Sequence, residues 1–199
     1  MPDTAPPADG STLTSSYLQT MLREQVVRTV TSSTRPSAIE GMTFYETDTD
    51  RLYLYDGTGY IILDEPTQSW TPTFSNTTTG NGTKTGTSRR SGGWVDFTAL
   101  FTLGSTSAVS GAITFTLPYA AALVINGTFN VSAVDIGTNS YPGTNDTTTA
   151  GGSTCLIYVT LASGTYASVA QFSSTVPFTF GSGDKIAVSG RYQMNTRYL

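Results

Sequence analysis

The chain has 199 residues (21.1 kDa), only 12% of them charged, and its net charge of −4 with an isoelectric point near 4.6 leaves no concentrated basic surface for a nucleic acid or an anionic membrane. It contains no histidine, which removes the commonest general base and metal ligand, and its single cysteine, Cys155, excludes a disulfide within the chain. No run approaches the roughly 18 apolar residues of a membrane-spanning helix, so no membrane span is expected.

Residues 1–12 read as an extended arm, because Pro2, Pro6 and Pro7 oppose regular helix and Gly10 adds freedom. The same stretch is acidic and lacks an apolar centre, which is not the pattern of a signal peptide. Over 13–31, Leu18, Met21, Leu22, Val26 and Val30 recur at three-to-four spacing and predict an amphipathic helix, weakened at its end by the β-branched Val27, Thr29 and Thr31. A lone helix of that length is marginal in water. Its apolar stripe therefore needs a cover, either the segment that follows or further copies of itself.

Residues 32–65 form a second unit, a linker around Pro36 and then a three-stranded antiparallel β-meander. Met42 and Phe44 alternate with Thr43 and Tyr45, Asp48-Thr49-Asp50 turns the chain, and Leu52 and Leu54 stand opposite Tyr53 and Tyr55. Asp56-Gly57-Thr58-Gly59 supplies a tight turn before Tyr60 opens the third strand. Met42, Phe44, Leu52, Leu54 and Tyr60 are its candidate packing residues. Such a meander is too small to bury a core alone. Asp64-Glu65-Pro66 marks the clearest boundary in the chain.

Residues 66–199 are dominated by Thr, Ser, Gly and Asn with interleaved Tyr, Phe, Val and Ile, the composition of an all-β domain. Alternation predicts strands over 93–103, 112–117, 129–134, 153–161, 166–172 and 185–192, with 75–91 a long loop or irregular hairpin and 135–152 a polar loop. Arg89-Arg90 reads as a solvated doublet. The expected fold class is mainly β: an N-terminal helix and small antiparallel meander followed by a jelly-roll-like β-sandwich. Phe97, Phe101, Phe115, Leu117, Phe129, Val131, Ile157, Val159, Val169, Ile186 and Val188 are its expected core, with Cys155 as a small buried hydrophobe. Trp94, Leu100, Leu156, Tyr158 and Tyr192 are assigned to the opposite faces and to a subunit interface.

No catalytic constellation emerges. A serine nucleophile lacks its base, Lys84 and Lys185 are the only lysines, and the acids beyond Pro66 are Asp96, Asp135, Asp146 and Asp184. Asp48 and Asp50 precede Arg51 without the remaining calcium-loop ligands, and Gly57-Thr58-Gly59 is a hairpin turn rather than a phosphate loop. The expectation is no enzyme, no cofactor and no metal. Tyr141, as an aromatic platform, with Asn139 and Asn145, marks the 135–152 loop as a candidate glycan-binding loop.

Residues 34–60, TRPSAIEGMTFYETDTDRLYLYDGTGY, resemble a short module near the amino end of many tailed-bacteriophage virion proteins, with Tyr60 where that pattern usually has tryptophan. WTPTFS (70–75), ITFTLP (113–118) and PFTFGSGDKIAVSGRY (177–192) resemble the β-sandwich that follows it in minor tail, fibre and head-fibre proteins. The resemblance spans about residues 20–195. It implies a non-enzymatic, virion-located homotrimer, held to another virion protein through its N-terminal arm, with Leu18, Met21, Leu22, Val26 and Val30 serving oligomer or virion attachment. It also implies an outermost sandwich that touches the host surface, for which the candidate loop above would supply the contact with cell-surface glycan. A capsid-decoration or head-fibre protein without a receptor role is the alternative. A tail-spike glycan hydrolase is disfavoured by the missing histidine, the lack of glutamate after Pro66 and the absence of a parallel-coil repeat.

Overall fold

The computed structural model describes residues 27–123, 129–147, 151–163 and 166–195, and the architecture is mainly β with one 3₁₀ turn among them, Ser32–Thr34. The arm over 1–12 and most of the expected 13–31 helix, with Leu18, Met21, Leu22 and Val26, lie outside the described residues. What falls inside corrects that expectation. Arg28–Val30 is a strand, β1, as suits a segment rich in β-branched residues, and Val30 is buried in the small core described next.

The first sheet has four strands in the order β1-β2-β3-β4, where β2 is Thr43–Glu46, β3 is Arg51–Tyr55 and β4 is Tyr60–Asp64. The last three form the antiparallel meander, and β1 adds in parallel, pairing Val30 with Glu46. At the β3–β4 turn Gly57 takes φ +91°, and the Asp56 carboxylate accepts the backbone N–H groups of Thr58 and Gly59. The buried face carries Val30, Phe44, Tyr53 and Ile62, with Met42 and Tyr60 packed at its margin. Leu52 and Leu54 point the other way, half-buried opposite Tyr45 and Thr43. The crossover between β1 and β2 roofs the aromatic face. Arg35 lies over the rings of Tyr53 and Tyr60 at 5.2 and 5.9 Å, and the Tyr60 hydroxyl donates to the Pro36 carbonyl.

The remaining strands are β5 (Gln68–Trp70), β6 (Thr77–Thr78), β7 (Thr83–Ser91), β8 (Trp94–Thr102), β9 (Ala108–Val109), β10 (Thr114–Thr116), β11 (Asn130–Asp135), β12 (Asn139–Thr147), β13 (Thr154–Ser163), β14 (Tyr166–Gln171) and β15 (Lys185–Gln193). Apart from the short β6–β9 pair, they join one nine-stranded sheet in the order β10-β13-β12-β11-β15-β8-β7-β5, with β14 also on β13. Where two packed sheets of a jelly roll were expected, hydrogen bonding runs continuously through one antiparallel sheet that curls around its core. The curl brings its ends together: Ser75 N–H donates to Thr114 O at 2.9 Å, Thr116 N–H donates to Thr73 O at 3.0 Å, and Phe74 bridges Phe115.

The enclosed core is aromatic at its centre. Phe97 lies 5.6 Å from Phe115, 4.8 Å from Phe129 and 5.8 Å from Tyr192, and Phe74 sits between Phe101 and Phe115. Gly190 belongs here because the Phe129 ring fills the space its side chain would take. Two expectations are corrected by burial. Val169 is 57% exposed on β14, whereas Tyr192 is buried, on the same face of β15 as Ile186 and Val188, with its hydroxyl donating to Tyr119 O at 2.8 Å. Cys155 is fully buried, and burial pushes its thiol up to about 12.

Candidate functional site

Two features of the surface and the joint between the sheets carry the charge and shape from which function can be argued. The first is the joint. Glu65 is buried, and its carboxylate accepts Arg51 Nε at 3.1 Å, the backbone N–H of Arg90 at 3.1 Å and the Arg90 guanidinium at 2.9 and 3.0 Å. Beside it Arg89 grips Asp64 with two nitrogens at 2.7–3.0 Å. Gly92 N–H and Ser91 Oγ donate to the carbonyls of Ile62 and Leu63. Arg90 also covers the Tyr119 ring at 4.8 Å. Desolvation works against the Arg90 charge, but its bond to Glu65 outweighs that and raises its pKa. The Arg89-Arg90 doublet, expected to be solvated, therefore lies in β7 and clasps the acids of the boundary. The meander is completed by the curled sheet behind it.

A second ionic centre lies inside the meander. Glu46 is buried and accepts the Arg35 guanidinium and Thr49 Oγ1. Burial pushes the Glu46 carboxyl up, but the bonds from Arg35 and Thr49 outweigh it and hold it below its ordinary range. Nearby Asp48 accepts Ser32 Oγ at 2.6 Å and the Ser32 N–H, while Asp50 accepts the Tyr45 hydroxyl at 2.6 Å. Glu46, Asp48, Asp50 and Asp56 of the 34–60 pattern, with Tyr45, Tyr53 and Tyr60, are thus engaged in fastening this one small sheet.

The second feature is on the outside of the curled sheet. A trough of about 680 Å³ crosses β5, β7, β8 and β15. Its rim carries the exposed hydroxyl side chains of Ser69, Thr71, Thr85, Thr87 and Thr98 and the half-buried Ser189, over a floor that includes Leu100 and Ala187. Thr87 and Thr98 face each other across the ladder with hydroxyls 2.7 Å apart. The one charged residue in the lining, Lys84, turns inward: its ammonium donates to Thr77 Oγ1 at 3.0 Å and sits 4.7 Å from the Phe101 ring, and desolvation lowers its pKa. The trough is therefore neutral and hydroxyl-lined. Toward one end of the same outer face Trp94 is 43% exposed, with Arg191 stacked on it at 5.2 Å.

The candidate glycan residues fall elsewhere. Residues 139–147 form β12 inside the sheet rather than a loop, paired on both sides with β11 and β13. Tyr141 packs against Phe178 with ring centres 5.3 Å apart, Asn145 is buried and accepts the Phe129 N–H at 2.8 Å, and only Asn139 is exposed. No apolar alternation marks β12, because its inward positions are Tyr141, Gly143 and Asn145; a side chain at Gly143 would collide with the Tyr158 carbonyl. The trough escapes sequence reading for a related reason. Its signal, alternate Thr at 83, 85 and 87, lies in a stretch that reads as loop.

Among the described residues, no three of His, Cys, Asp and Glu come together as a metal site, and no helix is long and apolar enough to cross a membrane. Comparison with protein-family models, with curated proteins and with solved structures finds no match to this chain.

Proposed function

We propose that this chain is a structural protein of a tailed-bacteriophage virion, a trimeric fibre or spike in which the residues before 27 serve attachment and the curled sheet is outermost. The observation that carries the reading is the use made of the 34–60 pattern. Arg35, Glu46, Asp48, Asp50, Asp56 and Tyr60 each hold a bond that shapes the meander, so the resemblance falls on a built scaffold that presents another domain. Contact with the host surface belongs to the neutral trough, whose hydroxyls and apolar floor suit an uncharged sugar chain, and not to Tyr141, Asn139 and Asn145.

Sedimentation equilibrium of the purified full chain tests the assembly: a mass of three copies of the 21.1 kDa chain is expected, and a mass of one copy overturns it. Imaging of the particle, with this chain placed by antibody labelling, tests the location. For sugar contact, retention on neutral polysaccharide is expected for the wild type and lost in Thr98→Trp, which fills the trough. Equal retention of the two proteins rejects the trough as the contact.

A further inference from the structure

The meander has a second apolar face, and the chain that leads into β1 starts beside it. Parallel pairing of β1 with β2 sets Arg28 and Val30 on the side of Phe44 and Glu46, and Thr29 on the side of Tyr45. The ladders carry that second side across the sheet: Tyr45 stands opposite Leu52, Thr43 opposite Leu54, and Leu54 opposite Ile61. Ile61 is buried and Tyr45, Leu52 and Leu54 are half-buried, yet none of the four belongs to either apolar core. The acid at the corner of this face, Asp64 opposite Leu52, is taken by Arg89. Its other members are apolar or carry a hydroxyl, so the face suits an apolar cover.

The point of entry of the chain says where such a cover comes from. Val27 is 47% exposed and, by the alternation of β1, continues the side of Thr29. Because β1 runs parallel to β2, Val27 lies at the end of the sheet where Thr43, Leu54 and Ile61 form one row. Residue 26 therefore joins the sheet at the margin of the apolar face. In the stretch before it Leu18, Met21, Leu22 and Val26 recur at three-to-four spacing, while Ser16, Gln19, Thr20, Arg23 and Glu24 fill the positions between. The dimensions agree as well. A helix over 18–26 is about 13 Å long, and β1 to β4 span about 14 Å at the usual strand spacing.

We infer that residues 13–26 cover the second face of the meander of their own chain, setting Leu18, Met21, Leu22 and Val26 against Leu52, Leu54 and Ile61. The chain's own segment is the occupant because it is joined to β1 without a linker. It meets the face at an effective concentration of about millimolar or above, whereas the same segment of another copy must first associate. One corollary rests on the virion reading above: attachment to another virion protein then falls to residues 1–12.

Cysteine pairs in the full chain test the contact, since the native Cys155 is buried. Leu18→Cys and Leu22→Cys are each combined with Leu52→Cys and with Leu54→Cys, and Thr20→Cys with Leu54→Cys supplies the control from the polar side of the stripe; circular dichroism confirms that each variant folds. Under mild oxidation, non-reducing electrophoresis is expected to show a disulfide within one chain for at least one apolar pair, formed at a rate unchanged by about tenfold dilution. The Thr20 control is expected to stay reduced. Disulfides that join two chains assign the face to another copy and overturn the inference, as does a set in which no apolar pair oxidises or the Thr20 control oxidises equally fast. A companion variant, Leu18→Asp with Leu22→Asp, is expected to speed amide exchange in β2 to β4 while leaving β8 unchanged; unchanged exchange in the meander also overturns the inference. None of these outcomes depends on sedimentation mass or on particle imaging, so the virion reading stands or falls separately.

Discussion

The two sheets are held by opposite means. The curled sheet encloses seven buried aromatic rings, Phe74, Phe97, Phe101, Phe115, Phe129, Phe172 and Tyr192, whereas the meander gathers four buried apolar side chains into its core, Val30, Phe44, Tyr53 and Ile62, and depends on two buried carboxylates, Glu46 and Glu65, for its shape and its seat. The difference follows from size. A sheet of many strands can close round its own apolar face, while four short strands cannot and must borrow a wall. Charge suits the borrowed wall: a carboxylate sealed between two arginines fixes one orientation of the small sheet on the large one, and leaving either partner alone is costly.

That contrast can be broken from either side. The largest effect is expected for Phe97→Ala, which empties the centre of the aromatic cluster; a loss of about 3–5 kcal/mol in urea unfolding of the whole curled sheet is the expectation. Next comes Glu65→Ala, which leaves Arg51 and Arg90 facing each other without their carboxylate. About 3 kcal/mol should be lost, and hydrogen exchange should place it in the meander amides, with those of β8 keeping their protection. Uniform loss of protection across both sheets would show that the joint stabilises more than the seat.

Acid should sharpen the same distinction. The folded-state pKa of Glu46 lies below its ordinary value of 4.5, so its contribution is complete above that value and is lost as the pH falls below 4.5 toward the folded one. Meander amides, followed by exchange, should open in that window before those of β8 between Phe97 and Phe101. The smallest effect is a gain: Lys84→Met removes a desolvated ammonium that pairs with no carboxylate among the described residues and should raise stability by about 1 kcal/mol or less by thermal melting.

Much of the large sheet was legible because its strands obey period two. Val95, Phe97, Ala99 and Phe101 on β8 alternate with exposed or half-buried residues, and the same rule, carried four residues beyond Val188 on β15, places Tyr192 inside with Ile186 and Val188. Where a strand is covered on both edges but its inward side chains are Gly or Asn, as in β12, periodicity has nothing to register. The opposite ambiguity affects the meander, where alternation separates Leu52 and Leu54 from Tyr53 without saying which face will be covered; the tyrosine face is, because the Arg35 crossover passes over it. Val27 to Val30 fit a helical stripe by spacing and a strand by side-chain branching, and pairing with β2 decides for the strand. The joint was the least legible part. Arg89 and Arg90 lie some 25 residues from Asp64 and Glu65, a separation that only the folded chain closes.

The position of β15 has a consequence for how the molecule comes into being. It is the last of the described strands in chain order, yet it lies between β11 and β8, joining a first half made of β5, β7 and β8 to a second half made of β10 to β14. During synthesis the two halves wait, each with a raw inner margin, until residues beyond 185 leave the ribosome and slot between them. The curled sheet is therefore finished by its final strand, and a nascent chain stalled a few residues early would hold two incomplete halves instead of one closed domain.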